Sequence, residues 1–209
     1  MADHTTIADK HEMSSSQNSH QVLIVDNNSP FTSRLVDIVS DMGYSFSCRR
    51  YSEIKIEDLG FEGLPWFNKV ILSGRKTGSS EINATNSRIV RYCYTRNIPI
   101  LGICYGCQII ALTLGGSIRR LEKPMRDFAQ VVVKGDSALV LGKEELRVYK
   151  SHKFCVSKLP SCLDSAGESQ TCPNEILIHK EKPIFGTQFH PEVSGVDGKR
   201  ILANFMALK

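Results

Sequence analysis

Three short apolar runs constrain this chain more than any other feature: Val22-Leu23-Ile24-Val25, Lys69-Val70-Ile71-Leu72 and Ile98-Pro99-Ile100-Leu101-Gly102-Ile103. A strand with one wet face alternates polar and apolar residues, whereas a run that is apolar throughout must be covered on both sides, as in a parallel sheet between two layers of helices. The segments between the runs supply those helices. Phe31, Leu35, Ile38, Val39 and Met42 form one stripe that stops at Gly43. Residues 82–97 read as a second helix, halted before Pro99 because a residue preceding proline is pushed out of the helical region. Residues 107–114 read as a third, closed by Gly115-Gly116. With a further strand over residues 44–51, the alternation predicts a three-layer α/β fold with a mostly parallel central sheet and helices on both faces. Beyond Ser117 the character changes. Residues 129–133, 147–150, 175–180 and 184–188 read as short strands forming a small antiparallel sheet, and residues 198–207 as a last helix facing inward with Ile201, Leu202 and Phe205.

A chain of 209 residues supports one well-buried core. Residues 1–20 are rich in Ser, Thr, Asn, Gln and His and carry no hydrophobic period, so they are expected to be a disordered extension, with the folded domain spanning 21–209. The polar start lacks the apolar stretch of a signal peptide, and no run approaches the ~18 residues a membrane span requires; a cytoplasmic location is expected. The net charge of +4 comes with no basic cluster beyond pairs such as Arg49-Arg50 and Arg119-Arg120, which argues against a nucleic-acid or membrane surface. Seven cysteines, an odd number without small-loop spacing, read as free thiols of a reducing compartment. Cys104 and Cys107 form a C-x-x-C, but a zinc site needs a second pair at matching spacing, and no metal site is expected.

The chemistry is concentrated in Leu101-Gly102-Ile103-Cys104-Tyr105-Gly106-Cys107-Gln108. A buried strand runs directly into a helix, with a cysteine at the junction and glycines two residues to either side. This is the spacing of the G-x-S-x-G strand-to-helix turn with Cys in place of Ser. The glycines let strand and helix approach where a Cβ would clash, and the junction residue sits at a helix start whose N–H groups favour a thiolate. A lone cysteine here would read as a small buried residue. A nucleophilic cysteine also wants a histidine to move its proton and a carboxylate to orient that histidine. Phe185-Gly186-Thr187-Gln188-Phe189-His190-Pro191-Glu192 supplies both, with Pro191 stiffening the turn after a strand.

Over residues 22–208 the chain resembles the class I (triad) glutamine amidotransferases. Gly102-Ile103-Cys104-Tyr105-Gly106-Cys107-Gln108 is similar to the family's G-x-C-x-G-x-Q, and Gln188-Phe189-His190-Pro191-Glu192 to its Q-F-H-P-E. The resemblance implies a flavodoxin-like fold in which Cys104 attacks the side-chain amide of glutamine, His190 shuttles protons and Glu192 orients His190. It also implies that Gln108 helps hold the substrate and that the Tyr105 N–H is one oxyanion donor. The second donor comes, in the family, from an S-G-G-P loop. Here that loop reads Ser73-Gly74-Arg75-Lys76, which keeps a backbone N–H but narrows the accessible φ/ψ range and brings a long side chain to the site.

Within the family the second half is most similar to the glutaminase part of GMP synthetase, through Ser151-His152, Leu159-Pro160, Thr171-Cys172-Pro173 and Pro183-Ile184-Phe185-Gly186. That resemblance implies a separate ATP-pyrophosphatase subunit that aminates XMP, with ATP and Mg²⁺ bound there and no cofactor in this chain. The family's S-H-x-D becomes Ser151-His152-Lys153-Phe154, losing the acid. The loop Asp26-Asn27-Asn28-Ser29-Pro30-Phe31-Thr32 instead resembles the anthranilate and aminodeoxychorismate synthase subunits. A binding relative without turnover and a γ-glutamyl peptidase on the same fold are the other readings.

Overall fold

The computed structural model describes residues 21–55, 66–135 and 137–208; the extension expected over residues 1–20 lies outside them. Their order is β1 (Val22–Asp26), α1 (Thr32–Asp41), β2 (Phe46–Arg50), β3 (Lys69–Leu72), α2 (Ser80–Arg96), β4 (Ile100–Ile103), α3 (Tyr105–Thr113), β5 (Ser117–Val133), β6 (Glu145–Lys158), β7 (Leu163–Glu168), β8 (Ile176–His179), β9 (Ile184–Thr187) and α4 (Gly195–Ala207). The described strands form one sheet in the order β2-β1-β3-β4-β9-β8-β7-β5-β6. The first five, β2-β1-β3-β4-β9, are mutually parallel. From β9 onward the pairing is antiparallel.

The apolar runs are buried as their pattern requires. Alternate residues of each central strand serve opposite faces. Val22, Ile24, Ile71, Leu101 and Ile103 join Leu35, Ile38 and Val39 of α1 and Ile201, Leu202 and Phe205 of α4 in one core layer. Leu23, Val25, Val70, Leu72 and Ile100 join Ile89, Val90 and Cys93 of α2 and Ile109 and Ile110 of α3 in the other. Helix α2 starts where Ser79 Oγ accepts the Ile82 N–H at 3.2 Å. It ends at Asn97, left-handed at φ 56°, which turns the chain into the Ile98-Pro99 strand entry.

The second half departs from the expected short strands. Residues 129–133 and 147–150 lie at the hairpin end of two long strands, β5 with 17 residues and β6 with 14, which pair from Ser117↔Lys158 to Val132↔Glu145. Much of β5 is exposed, including Arg119, Arg120, Arg126 and Phe128, so no apolar period marked it. Strand β7 was not expected either. Its sequence LDSAGE has little β preference, and at Gly167 a Cβ would lie 2.9 Å from the tip of the Ile176 side chain. The antiparallel strands do not stand apart; β9 carries them on from the parallel half, being parallel to β4 and antiparallel to β8.

Candidate active site

Four segments leaving the carboxyl ends of β1, β3, β4 and β9 meet in one crevice, where ligands bind in open α/β sheets. Cys104 follows the last residue of β4 and adopts φ 51°, ψ −96°, a conformation that a residue with a Cβ holds only under constraint. The constraint is visible. A Cβ on Gly102 would sit 2.4 Å from the Gly106 backbone, and one on Gly106 would sit 2.5 Å from the Leu72 carbonyl oxygen. The Cys104 N–H donates to Thr187 O of β9 at 2.7 Å, while the Cys104 carbonyl accepts the Gln108 N–H at 3.1 Å. The other half of the C-x-x-C is elsewhere. Cys107 packs in the opposite core layer against Gly186, and burial pushes its thiol pKa well above the ordinary value.

His190 emerges just beyond β9, and Pro191 opens a 3-10 turn, Pro191–Val193, that folds Glu192 back beside it. His190 Nδ1 and Glu192 Oε1 are 2.8 Å apart, both side chains almost wholly buried. The Cys104 sulfur stands close enough to the imidazole to act on its charge. Burial alone draws the His190 pKa down, but the Cys104 sulfur and the Glu192 carboxylate outweigh it and hold it well above the ordinary histidine value. The backbone fixes the ring further, since His190 N–H donates to Tyr149 O at 2.9 Å and Ser194 Oγ donates to His190 O at 2.6 Å. Phe31, from the loop after β1, meets the imidazole edge-on at 4.8 Å between centroids. Gly74, after β3, approaches from another side; a Cβ there would be 2.8 Å from His190 Cε1.

The cleft above the sulfur has a volume of about 570 Å³ and is lined by residues from the β1 and β3 loops, the start of α3, and strands β5 and β6. Arg75 lines it without a left-handed backbone. Its guanidinium lies 3.9 Å from the Tyr105 ring centroid and donates to Asn83 Oδ1 at 2.9 Å. The Arg75 side chain therefore forms a wall of the cleft, stacked along Tyr105. Tyr105 is the first residue of α3, where helix N–H groups lack intrahelical partners. The Gln108 amide lies in the wall, donating to Phe154 O at 2.8 Å and to Gln188 Oε1 at 3.2 Å.

Sequence reasoning missed several neighbours of the sulfur. Gln188 Nε2 donates to Cys104 Sγ at 3.8 Å, and the thiol faces Ser151 O at 3.8 Å. Gln188 stood in the quoted motif, but its side-chain contact had no separate signal. His152 is buried in the cleft wall with Nδ1 2.9 Å from Phe154 O and Nε2 without a hydrogen-bond partner among the described residues. Burial, with smaller contributions from the Lys150 and His190 charges, lowers its pKa to about 4 against the raising effect of the Phe154 carbonyl. Lys150, between Tyr149 and Ser151, is fully buried in an ion pair with Glu175.

The profile of the glutamine amidotransferase class-I family matches residues 23–208. Over 206 residues the chain is 34% identical to the glutamine-hydrolyzing GMP synthase of Cronobacter sakazakii, covering 93% of this chain and 38% of that protein. It is 32% identical to the same-named protein of Serratia proteamaculans with the same coverage, so the chain spans well under half the length of these relatives. Among solved structures, a Thermoplasma acidophilum protein described as one of the subunits of a GMP synthase superposes with a TM-score of 0.78 at 29% identity, over 90% of this chain and 92% of that one. A glutamine amidotransferase of Thermotoga maritima shares the fold with a TM-score of 0.69 at 22% identity, over 89% and 82% of the two chains. No helix among the described residues is long and apolar enough to cross a membrane. With a match running from β1 to the end of α4, the chain belongs to the class-I glutamine amidotransferase family.

Proposed function

We propose that this chain hydrolyses glutamine to glutamate with Cys104, His190 and Glu192 and delivers the ammonia to a separate synthetase that aminates XMP. The observation that carries the reading is the strained Cys104 between β4 and α3, beside an imidazole that it perturbs electrostatically and whose Nδ1 is held by Glu192. In this scheme His190 takes the Cys104 proton and the sulfur attacks the γ-amide carbon of glutamine. The oxyanion forms at the start of α3, where the Tyr105 N–H and an N–H of the Gly74-Arg75 loop are the assigned donors; one such donor is worth about 10²–10³ in rate. Collapse breaks the C–N bond, and His190 gives its proton to the departing ammonia, leaving a γ-glutamyl thioester. His190 then takes a proton from water, whose oxygen attacks the thioester carbonyl; glutamate leaves and the proton returns to sulfur. Glu192 keeps Nδ1 engaged, so that one imidazole nitrogen faces the chemistry throughout.

The XMP assignment is supported by the similarity to GMP synthases at 34% identity and by a subunit-sized neighbour covered over 92% of its length. ATP and Mg²⁺ are assigned to the synthetase partner. The test is glutamate release by the wild type and by Cys104→Ala, each alone and with an XMP-aminating synthetase, ATP, Mg²⁺ and XMP. Release that needs Cys104 and rises with the synthetase supports the reading. Release that needs Cys104 but ignores the synthetase turns the search to chorismate-using partners. No release in any mixture sinks the proposal and leaves a binding relative.

A further inference from the structure

Among the described residues the cleft is lined by four cations, Arg75, Lys76, Arg126 and Lys153, and by no Asp or Glu. The chain as a whole has 26 basic and 22 acidic residues, so this one-sided lining is a local bias. Arg75 is engaged by Tyr105 and Asn83. Lys76, Arg126 and Lys153 are exposed, and none is in an ion pair among the described residues. They come from three different segments: the loop after β3, β5 and β6.

Exposed apolar residues border these cations. Phe128 and Val132 are 43% and 47% exposed, and they stand two and six residues beyond Arg126, hence on the same face of β5. Phe128 leads back to the site, meeting Tyr149 edge-on at 5.4 Å between centroids, while Tyr149 meets Phe31 at 6.0 Å and Phe31 meets His190. An apolar centre beside a basic rim is the make-up of a protein interface. Cations exposed in this way act as a steering field rather than as a desolvated pocket for a small anion. Glu145, paired with Val132, puts an acid on the same face, which interrupts the run of positive charge a phosphate backbone would need.

We infer that the cleft rim and the outer face of β5 form a docking surface for an acidic, partly apolar face of another protein. Resting on the function proposed above, the occupant is the synthetase, because it must cover the mouth through which ammonia leaves Cys104. The deciding variant is Lys76→Glu with Lys153→Glu, two exposed side chains on the cleft rim. Glutamate release is measured for wild type and variant alone, and association with the XMP-aminating synthetase is followed by surface plasmon resonance at low and high ionic strength. Circular dichroism checks that the variant is folded. The expected result is an association rate lowered about tenfold or more at low salt, and a flattened salt dependence. Equal association of both proteins overturns the inference and leaves glutamine hydrolysis standing. Wild type that binds the synthetase through these lysines yet releases no glutamate supports the surface and overturns the catalytic reading. Charge-dependent binding to single-stranded RNA in place of the synthetase overturns the inference in favour of a nucleic-acid surface.

Discussion

Replacing Lys150 with Met removes a charge while keeping most of its length, and the structure makes this a severe change. Both Lys150 and Glu175 side chains are 0% exposed. Besides Lys150, the carboxylate receives the Ser169 hydroxyl on Oε1 at 2.6 Å, and its Oε2 has no hydrogen-bond partner among the described residues. Lys150→Met thus leaves a buried charge with one neutral donor, a change that costs about 3–5 kcal/mol when a buried pair is broken from one side. At about 2–4 °C per kcal/mol for a chain of this size, the melting temperature falls by about 10 °C. Replacing both partners with apolar residues, Lys150→Met with Glu175→Leu, removes the stranded charge and is expected to recover the loss to within about 1 kcal/mol. Thermal and urea unfolding followed by far-UV circular dichroism read all three proteins. A single variant within about 1 kcal/mol of wild type, the size of a solvated pair, would refute the argument by showing that water reaches these groups. The pair also bears on the site. Lys150 lies between the carbonyl that receives His190 N–H and the carbonyl facing Cys104, and Glu175 O accepts the Gln188 N–H at 2.8 Å. Glutamate release by the double variant therefore reports whether the ion pair also holds these carbonyls in place.

Three other perturbations test the geometry. Gly74→Ala places a Cβ 2.8 Å from His190 Cε1, against a ring held by Glu192 and Phe31, and is expected to lower glutamate release about 100-fold with little change in melting temperature; unchanged turnover would show that the loop moves aside freely. Arg75→Gly loses the Tyr105 stacking and the Asn83 hydrogen bond, destabilising by about 1 kcal/mol while leaving turnover measurable, and loss of all turnover would contradict the view of Arg75 as a wall. His152 titrates near 4 when folded and at about 6.5 when unfolded, so between those values the unfolded chain binds the additional proton and stability is lost as the pH drops. His152→Gln removes about 3 kcal/mol of that acid sensitivity, which parallel urea titrations at neutral and acid pH would register; identical pH slopes for the two proteins would refute a buried neutral imidazole.

How much was legible in the sequence depended on how local the physics is. The strand-to-helix turn at Cys104 could be read because its glycine requirement acts over five residues, and His190-Pro191-Glu192 because one turn brings the two side chains together. The apolar runs revealed the parallel half because two-sided burial leaves no alternation. The β5–β6 ribbon left less of a trace; much of β5 is exposed, and its length is set by pairing with β6, whose Leu146 and Val148 reach the core. Lys150 was legible only as part of a strand, because its partner Glu175 lies 25 positions away and nothing local marks either as buried. The side chain of Arg75 could be expected near the site, but its stacking on Tyr105 depended on two segments meeting.

The position of β9 has a consequence for how such a domain changes over time. One edge of this strand belongs to the parallel half that carries the nucleophile, the other to the antiparallel half that ends in the ribbon. Beyond that seam the backbone of β6 still reaches the site, through Tyr149 O, Ser151 O and Phe154 O, so it is the exposed residues of the ribbon that can be recharged without disturbing the turn at Cys104. The exposed face of the ribbon is then an address label, and under the proposed function exchanging that face between relatives should change the recipient while the groups around Cys104 stay in place.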